Sequence, residues 1–150
     1  LYQFSIENIN GVEEIKANVF RKNILVHQSD IDELGHVNNV VYLGWAQEVA
    51  AAHWDVLATP EIKQMNVWVV LRHEIDYLGA AFENDQLVAN TWVGETTGPR
   101  SIRHVEITNS KTGKTLVKAK TTWCMLDNTS MKPKRIDESV LKILTGAVKN

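Results

Sequence analysis

The sequence predicts an α+β protein in which a curved, largely antiparallel sheet of about five strands wraps one long central helix. Three observations carry this. Residues 39–58 place apolar groups at helical spacing. Residues 66–127 then change to a period of two, in four segments parted by short turn signals. The five tryptophans, Trp45, Trp54, Trp68, Trp92 and Trp123, are spread over both regions, as one core assembled from distant segments requires.

Taken in order, "NVFRKNILVHQ" (18–28) is a first strand, and the loop "DIDELGHVNN" (30–39) follows it. In 39–58 the apolar stripe is Val41, Trp45, Val49, Ala52 and Val56. Asn38 or Asn39 is the N-cap, because an asparagine side chain accepts from the free amides of a first turn. Pro60 lies just beyond the end. "NVWVVLRHEIDYL" (66–78) and "QLVANTWVGETT" (86–97) are strands rich in β-branched and aromatic residues. "SIRHVEITN" (101–109) and "KTLVKAKTTWCMLD" (114–127) flank "SKTG", a hairpin turn in which Gly113 supplies a positive φ. "DESVLKILTGAVK" (137–149) is a terminal helix with acids at its positive end. There is no internal repeat and no Gly-, Pro- or Ser-rich linker, so residues 1–150 read as one domain.

Composition narrows the function classes. The chain is 44% hydrophobic and 23% charged, with formal net charge −2. A nucleic-acid binder would show a clustered basic footprint, and none is present. The single cysteine, Cys124, permits neither an intrachain disulfide nor a thiolate metal cluster. No apolar run reaches the ~18 residues of a membrane span. The first residues lack a basic-then-apolar signal pattern. The expectation is a soluble, cytoplasmic protein without nucleic-acid or membrane partners.

The loop 30–39 is where chemistry concentrates. A calcium loop would use Asp30, Asp32 and Gly35, but Leu34 and Val41 stand where its third acid and final glutamate belong. Zinc would pair His36 with Asp30 or Asp32, yet His27, His53, His73 and His104 show no ligand spacing on one helix face. A serine nucleophile elbow is absent, and Cys124 sits in a strand as a small apolar filler. What remains is a carboxylate beside a helix N-terminus, whose unpaired amides hold an anion or a carbonyl becoming one. Gly35 allows the bend. Asp32 would face a carbonyl polarised by the amide of Asn39 or Val40. On spacing alone the alternative stands beside it: Asp30 and Asp32 cap the loop, and the asparagines only start the helix.

The same residues carry a resemblance. "DIDELGHVNNVVYLGWAQEVAAAHW" resembles the signature of hotdog-fold thioesterases of the 4-hydroxybenzoyl-CoA thioesterase and YbgC-like group, Asp-x-Asp-x-x-Gly-x-Val-x-x-x-x-Tyr. Asp30, Asp32, Gly35, Val37 and Tyr42 fill it. "HVNNVVYLGW" is also similar to plant acyl-ACP thioesterases. "IDYLGAAFENDQL" (75–87) and "GPRSIRHVEI" (98–107) resemble later passages of the first group, the second being the strand whose Arg-Ser start lies near CoA phosphates. The likeness runs over about residues 18–128.

The resemblance implies a hydrolase for acyl-CoA or acyl-carrier-protein thioesters, with no metal or redox cofactor. Asp32 matches the catalytic carboxylate ahead of Asp30. Asn39 holds the position whose amide polarises the carbonyl, and His36 matches the histidine of the plant-type motif. Leu34 replaces an asparagine of the plant pattern, which favours the simpler mechanism with Asp32 acting directly or through water. Gly35, Asn38, Tyr42, Trp68 and Val70 are expected to bind substrate, Tyr42, Trp68 and Val70 as its acyl wall. Arg100 and Ser101 would meet CoA phosphates, since arginine forks match phosphate, and Lys132, Lys134 and Arg135 could help. Glu48, in mid-helix, is a second carboxylate to weigh. A lone hotdog leaves a sheet edge open, and the resemblance implies a homodimer or homotetramer with the acyl group entering between subunits. A hydratase or dehydratase on the same fold, or a non-catalytic acyl-thioester-binding domain, are the rival readings.

Overall fold

The computed structural model describes residues 2–9 and 12–146, with side chains from Asn18 onward. The elements are β1 (Tyr2–Ile9), β2 (Val12–Leu25), a 3-10 turn (Gln28–Asp30), α1 (Asn39–Leu57), α2 (Pro60–Met65), β3 (Asn66–Tyr77), β4 (Gln86–Thr97), β5 (Arg100–Asn109), β6 (Thr115–Asp127) and α3 (Glu138–Thr145). The six strands form one antiparallel sheet in the order β1-β2-β4-β5-β6-β3. Register shifts between Val70 and Arg72 and between Val93 and Thr96 add extra residues. Such bulges bend a sheet, and this one curves around α1 in the expected hotdog arrangement.

Each element has a local cause. Asn38 caps α1, its side chain accepting from the Val40 amide at 3.0 Å. Asp137 caps α3 by accepting from Val140, and Gly146 ends it with φ +67. A side chain at Gly146 would also collide with that of Asn18. Beyond Gly146 the expected terminal helix lies outside the described residues.

Three expectations are revised. The sheet has a sixth strand, β1, and β2 starts at Val12 rather than residue 18; apolar residues at 2, 4 and 6 already alternate in the sequence. Pro60 does more than end α1: Thr59 accepts from the Ile62 amide and Pro60 opens α2. The buried face of α1 is Tyr42, Trp45, Ala46, Val49, Ala50 and His53, while Val56 is exposed. A helix apolar nearly all round does not announce its inner face.

Tyr42 anchors this core. It is 2% exposed, and its hydroxyl accepts from the buried Ala81 amide at 3.0 Å. Burial raises the phenol above its ordinary range, so it stays protonated. Tyr42→Phe leaves the Ala81 amide buried without a partner and is expected to cost about 1–3 kcal/mol. Urea denaturation measures this, and a loss within error of zero would refute that role.

Candidate active site

The motif loop closes on itself. Ile31 bridges Val37, Asp32 donates its amide to the His36 carbonyl at 3.0 Å, and Asn38 donates to the Asp30 carbonyl at 3.0 Å. At the tip, Gly35 donates to the Asp32 carbonyl at 3.0 Å and takes φ +87, where a side chain is strained. The two acids then differ. Asp30 Oδ2 accepts from the His27 amide at 2.9 Å and caps the 3-10 turn. Asp32 is half-buried; its Oδ1 accepts from the Leu34 amide at 2.9 Å, and its Oδ2 accepts from no described residue.

The amides at the start of α1 divide as well. The Asn38 side chain takes Val40, and the Asn38 carbonyl takes Val41 at 2.9 Å. The Asn39 amide donates to no described residue, so it is the available one of the two expected donors. The helix start is held from the far side. Val37 donates to the Ala81 carbonyl at 2.9 Å, Ala81 donates to the Tyr42 hydroxyl, and Tyr77 donates to the Asn39 carbonyl at 3.2 Å. This explains the small residues after Tyr77: Ala81 is fully buried between the loop and the helix, where a larger side chain has no room.

Other expected residues are dispersed. His36 is half-buried, with Nδ1 3.4 Å from the Val37 carbonyl. Glu48 is exposed on α1. The strand period puts Arg100 outside and Ser101 inside, where its hydroxyl meets that of Thr96 at 2.9 Å. Lys134 donates to Asn66 at 2.9 Å, while Lys132 and Arg135 are exposed. Trp68 lines a cavity of about 310 Å³ near the C-terminal half of α1, with Trp54, Trp123, Ser101 and Arg103; Asp32, Tyr42 and Val70 do not. Among the described residues no three His, Cys, Asp or Glu side chains gather as a metal site, and no helix is long and apolar enough to cross a membrane.

A family model described as the acyl-ACP thioesterase N-terminal domain matches residues 17–144. The chain belongs to this family. Solved structures repeat its fold. A 1,4-dihydroxy-2-naphthoyl-CoA thioesterase from Synechocystis is 17% identical with a TM-score of 0.74, over 85% of this chain and 96% of that one. YbaW of Escherichia coli is 24% identical at a TM-score of 0.73, over 86% and 98%. The 12:0-ACP thioesterase of Umbellularia californica is 17% identical at 0.73, over 88% of this chain but 51% of its own, so the chain spans about half of that protein. No curated protein matches the sequence. In this thioesterase-family chain, sequence reasoning passed over one buried group: Arg103, at an inward position of β5, which donates from Nη1 to His53 Nδ1 at 2.9 Å and Thr91 Oγ1 at 3.1 Å. Its signal was a cation in phase with the inward residues Val105 and Ile107.

Proposed function

We propose that the chain hydrolyses an acyl-CoA or acyl-carrier-protein thioester. The observation that carries this is the pairing, within one motif of a thioesterase family, of an unengaged Asp32 Oδ2 with an unclaimed Asn39 amide at the positive end of α1. Asp32 takes a proton from water as the water oxygen bonds to the thioester carbon. The carbonyl oxygen gains charge and draws on the Asn39 N–H. Collapse breaks the carbon–sulfur bond, and the departing sulfur takes the proton back from Asp32, leaving the free acid and the carboxylate ready again. Direct attack by Asp32 is the variant of the same site, through an anhydride that water then opens. His36 and Asn38 hold the loop and helix start, and Gly35 sets the bend. Trp68 and Val70 belong to β3, and within one chain Trp68 lines the separate cavity beside the C-terminal half of α1. Arg100 is the exposed cation proposed for substrate phosphates.

The test is release of free thiol from a panel of acyl-CoA and acyl-carrier-protein thioesters. Thiol release is the expected result. A hydratase leaves the thioester whole, and a binding domain shows ligand uptake without turnover; either outcome removes the proposal.

The site is proposed to be completed by a second copy. Among the described residues β3 is a 12-residue sheet edge hydrogen-bonded on one side only, to β6, and it exposes Leu71 and Tyr77. It contains no proline to discourage pairing. Wild type is expected to sediment as a dimer or tetramer. Leu71→Lys, at a half-exposed position, should shift it toward monomer at micromolar concentration while the fold persists. Sedimentation unchanged in that variant would place the interface elsewhere.

A further inference from the structure

The cavity beside the C-terminal half of α1 has donors in surplus. Arg103 is 6% exposed and makes no salt bridge with any described residue. Its two hydrogen-bond acceptors, His53 and Thr91, both meet Nη1. A guanidinium carries five donors, and no other described group accepts from it. His53 supplies no counter-charge: burial and the neighbouring Arg103 charge push it down to about 3. The indole Nε1 atoms of Trp68 and Trp123 are likewise buried with no partner among the described residues.

The acceptors around the same cavity are already engaged. Ser101 pairs with Thr96. The Asn66 oxygen accepts from Lys134, and its amide donates to the Ile62 carbonyl. A buried cation without a counter-ion is costly, and proteins pair such charges or use them on a ligand. The remainder of the wall is apolar and aromatic, with Trp54, Trp68 and Trp123 around it. At about 310 Å³ the cavity lies at the small end of ligand pockets. Ala50, on the cavity wall, stands about 16 Å along the helix axis from Asn39 at 1.5 Å per residue. Within one chain the cavity is therefore distinct from the Asp32 loop.

We infer that this cavity binds a small carboxylate with an apolar body, its head group on Arg103 and its body among the tryptophan rings. An apolar ligand alone would leave the cation unpaired, and a fully polar anion would waste the aromatic wall. This goes beyond hydrolysis at Asp32: binding of a free acid does not depend on that reading, while the acyl-thioester source rests on it. Two sources share the chemistry: a free acid, or the far-end carboxylate of a dicarboxylic acyl thioester.

The test titrates the protein with octanoate and with octanol, followed by tryptophan fluorescence and calorimetry. Wild type is expected to prefer the acid by at least about tenfold. Arg103→Met should bring the ratio close to one. Ala51→Leu, at an exposed position on the cavity rim, should weaken both ligands without threatening the fold. Equal affinity for acid and alcohol in wild type, no binding of either, or acid binding indifferent to Ala51→Leu overturns the inference, even if Arg103→Met does not fold. The sources separate by turnover. A KM lower for an ω-carboxyoctanoyl thioester than for the octanoyl thioester identifies the acyl group. Equal KM values with inhibition by octanoate identify the free acid.

Discussion

Asp32→Asn is expected to lower thioester turnover by at least ~100-fold, the scale of losing a positioned base. The substitution is chosen for what it keeps. Asp32 Oδ1 accepts from the Leu34 amide, and an asparagine oxygen can do the same, so the closed loop persists. What is lost is the basicity of the unengaged Oδ2. The effect should fall on kcat, with KM little changed, because the proton is taken only as the transition state forms. Asp30→Asn is the internal comparison. Asp30 spends Oδ2 on the His27 amide, so its amide variant should lose much less. Thiol release and a melting curve on the same samples measure both quantities. Unchanged turnover in Asp32→Asn would move the chemistry to Glu48 or end the proposal.

Acid should destabilise the fold well above the carboxylate range, and His53 is the reason. It is 0% exposed, stacked on Phe20 at 5.1 Å, and accepts from Arg103. Burial first, and then the Arg103 charge, lowers it from 6.5 to about 3. Below pH 6.5 the unfolded chain binds a proton that the folded chain refuses until about pH 3. Stability is therefore complete above that upper value and drains as pH falls toward the lower one. The slope reaches about 1.4 kcal/mol per pH unit, and the loss by pH 4.5 is about 2–3 kcal/mol. That is a large share of the roughly 5–15 kcal/mol that holds a domain together. His73, lowered by burial beside Thr121, adds in the same direction. Asp127 and Asp137 are held below 3.8, chiefly by hydrogen bonds from the Ser130 amide and the Ser139 hydroxyl respectively. Their contributions disappear only at lower pH. Urea denaturation at pH 7.5 and 4.5 reads the difference, and His53→Gln, which still offers Arg103 an acceptor, should flatten it. Equal wild-type stability at both values would disprove the buried neutral imidazole.

Much of the architecture is local and was therefore legible. The N-cap at Asn38, the helix through Leu57 and the strand Gln86–Thr97 follow from side-chain preference and apolar period over a few neighbours. The motif 30–42 likewise marked the loop, its glycine and its helix start, because tight turns and caps accept few residue types. Even the opposite facing of Arg100 and Ser101 was available from the strand period, although their adjacency suggested a common surface.

Contacts between distant segments were another matter. Periodicity could not say that α1 turns Tyr42, Ala46, Ala50 and His53 inward and Val56 outward, since that depends on how a six-stranded sheet curves over an almost wholly apolar helix. Nor could it say that Asp30 is occupied and Asp32 is not, or that the Asn38 side chain claims Val40 and leaves Asn39 open. Hydrogen-bond partners are a matter of angstroms between backbones that only packing brings together. The same holds for Arg103, which became a buried cation because β5 lies beneath α1 and beside Thr91. Residue order prescribed the pieces and marked the reactive loop; the apposition of sheet and helix chose which of its polar atoms are left without partners.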